Sequence, residues 1–199
     1  MNLQKMFEMQ KVLDDRIIKE KGLEGQDLLP NTYVALDTEL AEFANEGRWF
    51  KHWSNNQLPK KPEYNWKPSE DGGALEWKPE YGYKSYSLLE EFVDCLHFFL
   101  SIAIKKGWED AMSLPEEGFV EMKKKGFEGG LTGVFLEMKW MLLNSYMSKD
   151  QSTKKTSFSL AWALFLSIGT IGFGFTLEQI EAAYMDKNAV NYQRQQEGY

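Results

Sequence analysis

Apolar positions recur at helical spacing along most of this chain. Over residues 2–21, Leu3, Met6, Phe7, Met9, Gln10, Leu13, Ile17 and Ile18 fall largely on one face, and Gly22 closes the run. Residues 31–54 repeat the pattern with Val34, Leu36, Leu40, Phe43 and Ala44. Asn31 or Thr32 is the expected cap after Pro30, and Gly47 is expected to kink or end the segment before Trp49, Phe50 and Trp53. Residues 85–106 form the most apolar of these helices, with Ser85 or Ser87 as cap and Gly107 as stop. A short helix is expected over 116–125. Another follows over 131–149, with Val134, Phe135, Met138, Met141, Leu142 and Tyr146 facing the core. Residues 156–169 and 176–196 complete the set; Thr176 and Gln179 make a capping-box pattern, and the last helix runs toward Gly198. No convincing alternating strand run is present. The class predicted is all-α: a single domain over residues 1–199, built as a bundle of five to six main helices.

Two stretches break the pattern. Residues 58–84 hold Pro59, Pro62, Pro68 and Pro79 with Gly72, Gly73 and Gly82, which no continuous helix accommodates. This proline-rich excursion reads as a mobile lid, a dimer arm or a surface insertion. From Thr156 to Leu177 no residue is charged. The length alone would span a bilayer. Ser157, Ser159, Ser167, Thr170 and Thr176 dilute it, however, and Gly169, Gly172 and Gly174 stop the helix near 169, so a buried helix is the expected outcome and no membrane span.

The formal charge of −7 removes the electrostatic footprint for nucleic acid or an anionic membrane surface. Apolar residues make up 43%, enough to exclude a disordered chain. Cys95 stands alone, so no intrachain disulfide forms, and a reducing, cytoplasmic setting is expected; no signal-peptide apolar run opens the sequence. The two apolar helices over 131–147 and 156–169 carry more apolar surface than a monomer of this size hides, which points to a homodimer.

Carboxylates supply the candidate chemistry. Glu39 and Glu42 stand three apart within ELAE; Glu91 and Asp94 do so within EFVD, on the helix that also carries Leu88, Leu89, Phe92, Val93, Phe98 and Phe99. Each pair shares a helix face. One reading is two solvated surfaces. The other is convergence of four carboxylates on a divalent cation, because a carboxylate on an apolar helix is costly unless paired or metal-bound. Oxygen-only donors favour Mg²⁺ or Mn²⁺ over zinc. Glu46 is a further ligand candidate or a supporting group. His97 reads as a satisfied core histidine, a substrate contact or a ligand. Lys187, Asn191 and Arg194 fall on one stripe, either a polar surface or a grip for phosphate oxygens.

ELAE followed by EFVD resembles the ExxE…ExxD signature of the MazG-like all-α nucleoside triphosphate pyrophosphohydrolases. MFEMQKVLDDRI, ELAEFANEGRWFKHWS, LLEEFVDCLHFFLSI and YMDKNAVNYQRQQEGY together resemble the dimeric dUTPase family over nearly the whole chain. That resemblance implies Mg²⁺ held by Glu39, Glu42, Glu91 and Asp94, with Glu39 activating the attacking water. It implies Gln10 at the uracil edge, Trp49 or Trp53 lining the base pocket, and His97 with Phe98 as the wall of the base and deoxyribose. Some members place an asparagine near that glutamine, where this chain has Leu13 and Asp14. It implies Lys187, Asn191 and Arg194 on the triphosphate. The expected reaction is hydrolysis of dUTP, and of dUDP, to dUMP. A dCTP or broader dNTP pyrophosphohydrolase of the same superfamily is the alternative, and a non-enzymatic helical interaction protein the reading from another class. Tyr184 and Tyr192 are packing residues or phosphate donors.

Overall fold

The computed structural model describes residues 1–69, 74–76, 83–113 and 116–197. Among them are seven α-helices: α1 (Leu3–Glu20), α2 (Leu29–Gly47), α3 (Ser87–Lys106), α4 (Glu116–Lys125), α5 (Gly130–Met147), α6 (Gln151–Ser167) and α7 (Leu177–Gln196). Six are long and α4 is the short one, in agreement with an all-α bundle.

Local chemistry sets the helix ends. Asn2 caps α1 by accepting the Lys5 amide at 3.1 Å. Leu28 precedes α2 with no side-chain cap, so the expected Asn31 or Thr32 cap is not made. Asp27 Oδ1 already accepts the Leu29 amide at 3.1 Å, and Pro30 has no N–H to satisfy in the first turn. The helix therefore begins at Leu29. It also ends at Gly47 rather than 54, because Arg48 turns left-handed at φ 62°. That conformation costs a non-glycine residue about 1–2 kcal/mol. The turn folds the Trp49 ring back over Gly47 so closely that a Cβ there would lie 2.4 Å from it. Tyr86, not a serine, precedes α3; Ser87 is the first helical residue and donates to Glu46 Oε2 at 2.7 Å instead of capping. Gly107, at φ 63°, stops α3 as expected.

α6 starts five residues earlier than the uncharged stretch suggested, because Asp150 caps it through the Thr153 amide at 2.7 Å. Its end passes into a π-helical turn over Ile168–Gly172. Gly169 there lies against Phe92, where a Cβ would come within 2.5 Å of the ring. Thr176 and Gln179 close the predicted capping box of α7. The helix ends at Gln196; Gly198 lies outside the described residues.

The proline-rich excursion carries structure that the sequence pattern did not reveal. Four short strands form two antiparallel pairs, Glu63–Tyr64 (β1) with Tyr83–Ser85 (β4) and, inside them, Lys67–Pro68 (β2) with Leu75–Glu76 (β3). Residues 70–73 and 77–82, with Gly72, Gly73, Pro79 and Gly82, lie outside the described residues. Rings of Tyr64, Tyr83, Tyr86 and Phe175 follow one another at 5.4, 5.1 and 5.7 Å and fasten the excursion to the bundle.

α3 is the central helix, in contact with α1, α2 and α7. Phe92 stacks on Phe165 of α6 at 4.2 Å, and Phe43 of α2 meets both rings edge-on. This junction fixes α2 against α3 and sits one helical turn from Glu39 and next to Glu91. On α5, Val134, Met138 and Leu142 are buried, while Leu136, Trp140, Leu143 and Met147 are each at least half exposed along another face. Among the described residues no single helix is long and apolar enough to cross a membrane. Only the bent pair Gln151–Gly172 and Leu177–Gln196, meeting at 110°, reaches that length and composition together.

Candidate active site

The packing of α2 on α3 brings acids from both helices together. Glu39, Glu91 and Asp94 each offer a carboxylate oxygen, and the three oxygens lie within 4.8 Å of one another. Glu42, exposed one turn further along α2, lies outside this set but near enough for its charge to act on Glu39 and Glu91. Glu46 is turned to Ser87 instead.

Like charges this close resist joint ionisation. Burial, reinforced by Asp94, Glu42 and Glu39, pushes Glu91 from 4.5 up to about 7. Burial lifts Glu39 as well, with Asp94 and Glu42 adding to it. Asp94 is raised by burial, while Lys187 and Arg194 of α7 pull it the other way. Lys187 Nζ reaches Asp94 Oδ2 at 2.5 Å, and both side chains are about four-fifths buried. One ammonium thus stands against three carboxylates. The excess of negative oxygen, with no nitrogen or sulfur donor in the set, fits a hard divalent cation of the Mg²⁺ or Mn²⁺ kind.

α7 contributes more than Lys187. Arg194 is exposed, and with Lys187 it lines a cavity of about 880 Å³ between α3 and α7 that Tyr83, Tyr86, Leu89 and Val93 complete. Asn191 is half-buried between the two cations in sequence. Tyr192 leans on α1, with Arg16 over its ring at 5.2 Å. The residues expected to hold a base do not share one place. Trp49 packs against Phe43, Phe135 and Phe173 at 5.4–6.0 Å, so it belongs to the core edge. Trp53 is 68% exposed beside Phe50 and His52. Phe98 is half-buried on α3, next to His97.

Gln10 and His97 do meet. His97 Nδ1 lies 2.7 Å from Gln10 Oε1. The Gln10 amide donates to Asp14 Oδ1 at 2.8 Å and to Ser101 Oγ at 3.1 Å. Ser101 donates to Asp14 at 3.0 Å, and Lys105 pairs with Asp14 at 3.0 Å. Tyr184 is fully buried; its hydroxyl reaches Met6 O at 3.0 Å and Gln10 Oε1 at 3.1 Å, and its ring stacks on His97 at 4.4 Å. Tyr184 is therefore a packing and network residue. Burial pushes His97 down to about 3, with Lys187 adding to the effect, so the imidazole is neutral at physiological pH. The sequence reading singled out Gln10 and His97 and noted Asp14 beside Gln10, but missed Ser101 and Lys105. A signal was there: His97, Ser101 and Lys105 recur every four residues on an apolar helix, as do Gln10 and Asp14 on α1.

A family model described as dUTPase matches residues 2–65 and 76–199. No curated protein matches the chain.

Proposed function

The chain belongs to the dUTPase family, and from that premise we propose that it hydrolyses dUTP to dUMP and pyrophosphate, with Mg²⁺ (or Mn²⁺) held by Glu39, Glu91 and Asp94. The supporting observation is the convergence of these three carboxylates from two helices, with Lys187 on their flank. A cation held there would neutralise charge on the phosphate oxygens and leave the phosphorus more electrophilic.

The chain's own residues do the rest. Glu39, raised by burial and by its acidic neighbours, is the base that takes the proton of the attacking water. Glu42 contributes negative charge that keeps Glu39 proton-hungry. Lys187 exchanges Asp94 for a phosphate oxygen, and Arg194 takes up charge on the leaving group with Asn191 between them. Attack falls on the β-phosphorus, so dUDP is a second substrate. The nucleoside lies along the turn of α3 that follows Asp94, where Phe98 packs against the sugar and excludes a 2′-hydroxyl.

A pyrophosphate-release panel across dUTP, dCTP, dTTP and dATP, with Mg²⁺ titrated, tests this reading. dUTP turning over fastest, and only with metal, supports it. Preference for dCTP would move the assignment to the related pyrophosphohydrolase. No turnover with any of the four would leave a helical interaction protein.

The exposed row Leu136, Trp140, Leu143 and Met147 on α5 supports a homodimer through that face. Sedimentation of the Trp140→Glu protein as a monomer, against a dimeric parent, is the expected result.

A further inference from the structure

Glu39, Glu42 and Glu46 recur at i, i+3 and i+7 along α2, and Ser87, Glu91 and Asp94 recur at i, i+4 and i+7 along α3. The two stripes face each other. Glu46 meets Ser87 at the first residue of α3, and Glu39 meets Glu91 and Asp94 further on, so the helices run in opposite directions. At the far end of this seam oxygen faces oxygen, and burial with acidic neighbours raises Glu39 and Glu91. At the near end Ser87 Oγ donates to Glu46 Oε2 at 2.7 Å in a partly buried contact. A hydroxyl bonded to a carboxylate is stronger than a bond between neutral groups. Ser87 stands one turn before Glu91, and Glu46 one turn after Glu42. The bond is not a cap: Tyr86 precedes α3, and its amide goes to Glu90 Oε1 at 3.2 Å. Instead it brings a carboxylate from α2 to the N-terminal end of α3, where the helix dipole favours negative charge. The left-handed turn at Arg48 ends α2 directly after Gly47, so the last turn of α2 stops beside the first turn of α3. Apolar packing of Phe43 on Phe92 holds the helices together without fixing their slide, because that attraction is non-directional. A hydrogen bond fixes both distance and direction.

We infer that Ser87 and Glu46 are positioning residues: their hydrogen bond clasps α2 to α3 and holds Glu39, Glu91 and Asp94 in the register that receives a divalent cation, and Glu46 is a support for that set and not a member of it. The cation rests on the proposed function; the clasp does not. Glu46 lies outside the three acids whose oxygens converge, which agrees with a carboxylate already engaged elsewhere. Without the clasp the repulsion among the acids is free to splay the two helices, and the ligands lose their common point.

Calorimetry with Mg²⁺ alone, without nucleotide, reads the clasp apart from turnover. Ser87→Ala removes no carboxylate, yet is expected to weaken Mg²⁺ about tenfold, the scale on which outer partners of metal ligands act. Ser87→Thr keeps the hydroxyl and is expected to bind as the parent does. Glu46→Gln keeps an oxygen that accepts from Ser87, so it should retain more affinity than Glu46→Ala. In turnover of dUTP the Mg²⁺ needed for half-maximal rate should rise in Ser87→Ala, while KM for dUTP at saturating Mg²⁺ stays that of the parent. A Ser87→Ala protein that melts lower but binds Mg²⁺ unchanged has lost only a structural bond, and overturns the inference. So does Glu46→Gln losing as much affinity as Glu46→Ala while Ser87→Ala binds as tightly as the parent, because Glu46 is then a ligand. Melting of the metal-free proteins supplies a second measurement. The Ser87→Ala/Glu46→Ala double variant should melt no lower than the weaker single, since both remove the same bond; additive losses overturn the clasp. If the parent takes up no Mg²⁺, the metal in the proposed function falls and the metal half of the inference with it, and the melting cycle alone decides the clasp.

Discussion

Two polar clusters follow one another along α3, and they are built on opposite terms. Around Glu91 and Asp94 three carboxylates crowd together against one close ammonium; burial raises all three, and repulsion from acidic neighbours adds to it at Glu39 and Glu91. One turn later, around His97, donors and acceptors from α1, α3 and α7 are matched almost atom for atom. The second cluster is what a folded protein does with polar groups it must bury. The first is what it does only where something else is to arrive, because an uncompensated cluster of charge lowers stability without any return in the free protein. The imbalance is the feature on which the proposed site rests, and the matched network lies one turn further along α3.

Neutralising one acid should separate the two regions most sharply. Glu91→Gln removes a ligand oxygen, and kcat/KM for dUTP is expected to fall by more than about 100-fold, the loss that follows even when an outer partner of a metal ligand is removed. The same change should stabilise the metal-free protein. Glu91 titrates near 7 in the fold against an ordinary 4.5, so between those values the folded state binds more protons than the unfolded chain. Stability therefore falls as pH rises through that window and stays low above it. The variant should melt higher than the parent at pH 8 and equally near pH 4.5. Equal melting at both pH values would mean that Glu91 is not strained by its neighbours.

Metal affinity should follow the same titration. A divalent cation binds the deprotonated acids, so affinity for Mg²⁺ measured by calorimetry without nucleotide is expected to rise about tenfold per pH unit below 7 and to level off above it. A flat profile from pH 5 to 8 would place the cation away from Glu91.

Lys187 tests the closest compensation the acids have. Lys187→Met removes the ion-pair partner of Asp94 and leaves it only the influence of Arg194, and the metal-free protein should lose about 2 kcal/mol, the scale of a charged hydrogen bond. Mg²⁺ then meets no ammonium at Asp94, so its affinity without nucleotide should increase while KM for dUTP worsens. Weaker Mg²⁺ binding in this variant would show that Lys187 supports the cation site rather than competing for it.

How legible each region was follows from the same contrast. Carboxylates on an apolar helix stand out, so Glu91 and Asp94 could be picked from LLEEFVDCLHFF, and the i, i+3 spacing shared with Glu39 and Glu42 suggested the pairing of α2 and α3. The left-handed turn at Arg48 was not visible, since arginine is not the residue that usually adopts it; it ends α2 early and sends Trp49 to the core edge and Trp53 to solvent. The short strands of the excursion were missed because two-residue pairings leave no alternation to read. The matched network was hidden because serine and lysine on a helix read as surface; their meaning depends on α1 lying across α3, which no spacing within one helix reveals.

The smallest expected effect bears on whether the two regions are independent. Ser101→Ala leaves one Gln10 amide hydrogen and one Asp14 lone pair without that partner, but Asp14 keeps Lys105 and Gln10. A loss of about 1 kcal/mol follows, the net worth of an ordinary buried hydrogen bond. In a chain of this length that lowers Tm by about 2–4 °C. Because Ser101 touches the matched network and none of the three acids, its cost should be the same in the parent and in the Glu91→Gln background. A double variant that departs from the sum by more than about 0.5 kcal/mol would show that strain among the carboxylates is transmitted down α3, and that the network is part of how the acid cluster is held rather than a separate support beside it.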